Sequence, residues 1–198
     1  MLEQSDPDDS TRIGASSPST AEAITQYLAF SSAPSIMSTL LCTAKYRKAF
    51  KLPEELEVSE MPEGALGPWY GNTLNMGALR FLHYLSSQAL LSVVIELKDR
   101  RSAEQRFAQS LARLLHSLGS PEPSVLREIE LLRTIQYGRA SNRSILGSMR
   151  DQAYLASCRL EEGRLSLERV NLDLAETPCG PLAYASPRRV TAQLLSLR

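Results

Sequence analysis

Histidine is scarce and cysteine is scattered: 198 residues hold two histidines, His83 and His116, and three widely separated cysteines, Cys42, Cys158 and Cys179. No CxxC, HxxxH or mixed Cys/His cluster arises, which excludes a structural zinc site; no metal and no other cofactor is expected. No apolar run approaches the roughly 18 residues of a bilayer span, so no membrane partner is expected. The chain also lacks GxxxxGK[ST], GxGxxG, HExxH and GxSxG, and the nucleotide-loop, zinc-protease and serine-hydrolase classes lose most of their weight. Net charge is zero, with 22 basic against 22 acidic residues, and aromatics make up only 6%. What is present suffices for one ordinary core: 43% of residues are hydrophobic, and mean hydropathy is -0.19. A soluble, cytoplasmic chain is the expectation.

The zero charge hides an uneven distribution. Residues 1–36 carry the acids Glu3, Asp6, Asp8, Asp9 and Glu22 against the single base Arg12. They are rich in Ser, Thr, Pro and Asp and offer too little apolar surface to offset ordering entropy, so they read as a disordered acidic leader. Ile24, Tyr27 and Leu28 allow a short partner-binding helix within it. No basic segment precedes the uncharged stretch from 23 to 44, which argues against a secretory signal. A translation start at Met37 is an alternative. Residues 37–198 then hold the excess of bases, and only Lys45, Lys48, Lys51 and Lys98 are lysines. Planar guanidinium suits phosphate and carboxylate, although a GC-rich genome gives the same arginine bias.

Ser38–Thr43 reads as a strand leading into one helical turn at 45–50, which Pro53 ends. After a linker rich in glutamate, three apolar segments follow, starting at Trp69, near Arg80 and near Leu90. Gly77 and Ser86-Ser87-Gln88 separate them, and they suggest an antiparallel meander. Phe107, Leu111, Leu114, Leu115 and Leu118 follow helical spacing, with Gly119 placed to stop the helix. A second helix is expected with Ser124 as its cap and Val125, Ile129 and Leu132 buried. Residues 134–138 suit a strand. A third helix spans 143–160, capped by Ser141 or Asn142, with Ile145, Leu146, Met149, Ala153, Ala156 and Leu160 inward. Residues 164–172 alternate like a late strand. The expected architecture is one α+β domain over 37–198, a small, mostly antiparallel sheet packed by about three helices.

Trp69, Tyr70 and Asn72, then Asn-Arg-Ser-Ile-Leu-Gly-Ser-Met-Arg-Asp at 142–151, then Val-Asn-Leu-Asp-Leu at 170–174 and Pro178, occur in that order. In this the chain resembles DUF6933, a bacterial domain family of unknown function, over residues 37 to 190. A Trp-x-x-Asn element, an Asn-Arg-Ser-Val-Leu-Gly-Ser-Met-Asn-Asp element and a late Asn-bearing segment before a proline recur in it. Arg150 departs from the family's Asn, and Tyr70 from its His. The resemblance implies a bacterial cytoplasmic domain and no particular activity.

Asn142, Arg143, Ser144 and Arg150 surround a helix start, where free N–H groups and the positive dipole end could hold an anion beside a guanidinium fork. The plain alternative is that Asn142 merely caps the helix. Trp69 and Asn72 could stack on and hydrogen-bond a base, or Trp69 could anchor the core. The run from Lys45 to Lys51 mixes bases with Tyr46 and Phe50, as phosphate contacts beside stacking would, or forms a solvated amphipathic turn. The expected ligand surface is therefore Trp69, Asn72, Asn142, Arg143, Ser144 and Arg150, in a binding or regulatory module whose partner is nucleic acid or another phosphate-bearing ligand. One alternative is a small metal-independent enzyme in the same pocket, with Arg143 as electrophile and His83 or Asp151 as base. The other is a protein-interaction partner. His83 is expected half-buried, His116 solvated and Cys158 a small core residue.

Overall fold

A computed structural model describes residues 37–54, 56, 63–161 and 165–196. The expected leader at 1–36 lies outside the described residues, as does much of the glutamate-rich linker. The chain runs through β1 (Ser38–Cys42), α1 (Ala44–Phe50), β2 (Trp69–Met76), β3 (Leu79–Ser86), β4 (Ser92–Glu96), α2 (Ala103–Ser117), α3 (Glu122–Leu131), β5 (Ile135–Arg139), α4 (Arg143–Glu161), α5 (Leu167–Glu176), a 3-10 turn (Gly180–Leu182) and α6 (Pro187–Ser196).

The strands form one sheet in the order β4-β3-β2-β1-β5. Tyr70 pairs with Leu85 and His83 with Val94 in antiparallel ladders, which is the expected meander. The sheet is mixed rather than mostly antiparallel, because β1 runs parallel to both β2 and β5. Parallel neighbours need crossovers, and α1 with the linker and α2 with α3 supply the intervening chain. The fold is a single α+β domain.

Strand alternation divides the core into two layers. On one face Trp69 meets Phe107 of α2 edge-on, with ring centroids 5.0 Å apart. Tyr84 stacks on Phe107 at 3.9 Å, and the Tyr46 and Tyr84 hydroxyls lie 3.2 Å apart. Gly71 makes room for Tyr46, since a Cβ there would come within 3.1 Å of its ring. On the other face Leu74, Phe81 and Val94 pack against Ala156, Val170 and Leu174, while Tyr70, Leu85 and Leu90 pack against Met149.

Several expectations need correcting. Residues 167–176 form helix α5, not a strand. Alternation from Leu165 breaks at Arg169-Val170, whereas Leu167, Val170 and Leu174 keep helical spacing and the Ser166 side chain accepts the Arg169 N–H at 3.3 Å. Helix α3 is capped from Pro121; Ser124 sits inside its first turn and donates to the Leu195 carbonyl at 2.9 Å. His116 is not simply solvated, because its Nδ1 lies 3.3 Å from a Glu122 carboxylate oxygen. The helix at 44–50 has two turns, and α5 and α6 add to the three helices expected.

Candidate functional site

The site follows from a mismatch in strand length. β1 stops at Cys42, opposite Gly71, but β2 continues to Met76 along β3. The Thr43 N–H donates to the Gly71 carbonyl at 3.0 Å, so the backbone groups of Gly71 face the β1 side. Alternation turns those of Thr73 and Asn75 the same way, beyond the last β1 residue. The chain has by then entered α1, and among the described residues no strand covers this overhang.

A cleft of about 560 Å³ opens there. Its floor is Asn72, Thr73, Leu74 and Asn75; the first turn of α1 brings Thr43, Ala44 and Lys45. The facing wall is one stripe of α4, where Leu146, the adjacent pair Met149 and Arg150, Ala153 and Ser157 follow at steps of three to four residues. The Thr43 hydroxyl accepts the Tyr46 N–H and donates to Asn72 Oδ1 at 2.9 Å. That leaves the Asn72 amide nitrogen as a donor without a partner among the described residues. Lys45 and Arg150 are exposed and make no ion pair with a described residue. Neither α1 nor α4 has an acid in its first turn, so nothing offsets the two dipole ends.

Of the residues expected at the ligand surface, Asn72 and Arg150 meet in this cleft. Asn142, Arg143 and Ser144 are exposed at the start of α4 and do not line it. Arg143 lies two turns from Arg150 on one side of the helix, about 10 Å along the axis. Asn142 Oδ1 accepts the Ser144 and Ile145 N–H groups at 3.0 and 3.3 Å, which removes those donors from any anion. Trp69 must be corrected: it is buried against α2 on the opposite sheet face and has no surface for a ligand. It stands three positions before Asn72 on one strand, and a period of two sends them to opposite faces. Thr43, Lys45, Asn75 and Ser157 are additional lining residues. Of these, Lys45 opens the basic run at 45–51 whose composition already suggested phosphate contacts.

His83 is fully buried rather than half-buried. It is the cross-strand neighbour of Asn72 but does not line the cleft. Ser92 Oγ donates to Gln152 Oε1 at 3.3 Å, and Gln152 Nε2 donates to Cys179 Sγ at 3.1 Å. The Ser92 hydroxyl proton being thus used, the 2.9 Å contact is a donation from His83 Nε2–H to Ser92 Oγ. His83 Nδ1 has no partner among the described residues. Burial lowers its pKa to about 4, so His83 is neutral at pH 7. Asp151 is exposed outside the cleft, so neither base named for an enzyme lines it. Burial also pushes the Cys42 thiol up to about 12 and raises that of Cys179. Among the described residues no group of three His, Cys, Asp or Glu could hold a metal, and no helix is long and apolar enough to cross a membrane.

No curated protein matches the chain. A family model described as a domain of unknown function, DUF6933, matches residues 39–190, a span that takes in β1, the β2 overhang and all of α4. The chain therefore belongs to the DUF6933 family.

Proposed function

We propose that this chain is a cytoplasmic binding or regulatory module whose cleft takes a phosphate-bearing ligand. Lys45 and Arg150 act as charged donors, and the Asn72 amide and the N–H groups of Thr73 and Asn75 as neutral ones. One observation carries the reading: two cations without partners among the described residues line a cleft whose described lining includes no carboxylate. Arg139, opposite Cys42 at the end of β5, and Arg143 extend the positive field beyond the rim. The described lining holds no His, Cys, Asp, Glu or Tyr, which favours recognition over acid–base turnover. Three free cysteines suit a reducing compartment.

Calorimetric titration with inorganic pyrophosphate, repeated at rising salt, tests this. Binding should weaken as salt rises and fall about tenfold in each of Lys45→Ala and Arg150→Ala, since charge-assisted hydrogen bonds are the strong ones. Arg143→Ala should matter less, acting only through the screened field. Affinity unchanged in both cleft variants would refute the reading. Short RNA, single-stranded DNA and duplex DNA in the same assay show whether a polymer can present the phosphate.

A further inference from the structure

We infer that the cleft selects a phosphomonoester carrying a ring-sized body with one apolar face and one polar edge, the class to which nucleoside monophosphates belong, over a nucleic-acid strand. The inference rests on the phosphate reading above and deepens it.

Polarity in the cleft is segregated. On α4, the half-buried Leu146 and Ala153 form an apolar strip beside Arg150, backed by Met149 and Leu74, which are buried in the core. A free phosphate would occupy the cationic end and leave this strip wet; a ligand with an apolar body covers it. A volume of about 560 Å³ falls within the range for small-molecule sites. Two cations match the charge of a monoester dianion. A strand of nucleic acid places phosphates in series and needs a row of bases along a groove; the described lining of this cleft holds two, Lys45 and Arg150, while Arg139 and Arg143 lie outside it. The β2 overhang presents N–H and C=O groups of Thr73 and Asn75 side by side, with the Asn72 amide on one face of that edge and the Asn75 amide on the other. That alternation of donors and acceptors pairs with the edge of a heteroaromatic ring, as asparagine amides do with adenine. The polar edge would lie on β2, the apolar face on α4, and the phosphate between Lys45 and Arg150.

The test is calorimetry on the full chain with inorganic phosphate, adenosine 5′-monophosphate, uridine 5′-monophosphate, adenosine and a ten-nucleotide single strand. At least one monophosphate should bind about tenfold or more tightly than inorganic phosphate and more tightly than the strand counted per site, with adenosine weaker than either monophosphate. Ala153→Leu, which fills the apolar strip, should weaken the monophosphate and leave inorganic phosphate unchanged; Leu146→Asn should do the same, with its unfolding midpoint confirming the fold. If inorganic phosphate binds as tightly as both monophosphates, or the strand binds more tightly than either, this inference is overturned while the phosphate reading stands. If no phosphate compound binds, or binding ignores Arg150→Ala and Lys45→Ala, both fall.

Discussion

His83 shows how one buried side chain ties pH to stability. Its imidazole donates through Nε2 to Ser92, and a second proton on Nδ1 would find no acceptor among the described residues. Burial lowers the pKa from 6.5 to about 4. Between these values the unfolded chain binds a proton that the folded chain refuses. The stabilisation is therefore complete above about pH 6.5 and is lost as pH falls toward 4, by up to about 3 kcal/mol. Urea unfolding at pH 7, 5.5 and 4 should show this slope, and His83→Leu should flatten it whatever its effect at pH 7. Asn142 works without charge: its side chain holds two N–H groups at the start of α4, so Asn142→Ala should cost about 1 kcal/mol in a urea midpoint measurement. Its capping role was legible from the residue type and the helical pattern that follows. That Trp69 could anchor the core was legible from the residue type, and strand alternation, which separates it from Asn72, supplies the reason it does.

At the scale of elements, α5 protects an edge of the sheet. Among the described residues strand β4 has no neighbour beyond it in the sheet, yet Asn171 Oδ1 accepts the Val94 N–H at 2.8 Å and Asn171 Nδ2 donates to the Val94 carbonyl at 3.2 Å. A side-chain amide thus replaces one residue of a missing strand. Asn171→Leu would leave both Val94 groups buried and unpaired. Chemical denaturation should register a loss of about 2–4 kcal/mol, and a change below the error of the measurement would refute the role. The same stretch misleads a reader of sequence, because Leu165 and Leu167 begin an alternation that Val170 and Leu174 do not continue. A helical period needs about two turns to declare itself, and 165–174 barely supplies them.

Across the whole molecule the two sheet edges are treated differently. Among the described residues β5 pairs with β1 alone. The Ala140 N–H bonds the Cys42 carbonyl, so alternation turns the Tyr137 and Arg139 N–H groups outward, and no described residue accepts them. Hydrogen exchange should find the Val94 amide protected like the interior and the Tyr137 and Arg139 amides fast, with Val94 joining them in Asn171→Leu. Both helical layers share the sheet, so Trp69 fluorescence, which reports the α2 face, should unfold together with far-ultraviolet circular dichroism; separated transitions would refute a single cooperative unit.

The sequence by itself determined what depends on neighbours along the chain: the meander around Gly77, the helix ended by Gly119, the Asn142 cap and the family motif at 142–151. Local sterics and hydrophobic periodicity are written in consecutive residues. Only the tertiary structure decided that β1 lies parallel between β2 and β5, that β2 overruns it, and that Lys45, Asn72 and Arg150 line one cleft. Those three residues belong to segments far apart in the chain, and pairing between distant strands carries no periodic signal in the residues between them. The burial of His83 beside Ser92 and Gln152 has the same origin, since the helix that seals it starts sixty residues downstream of the strand that carries it.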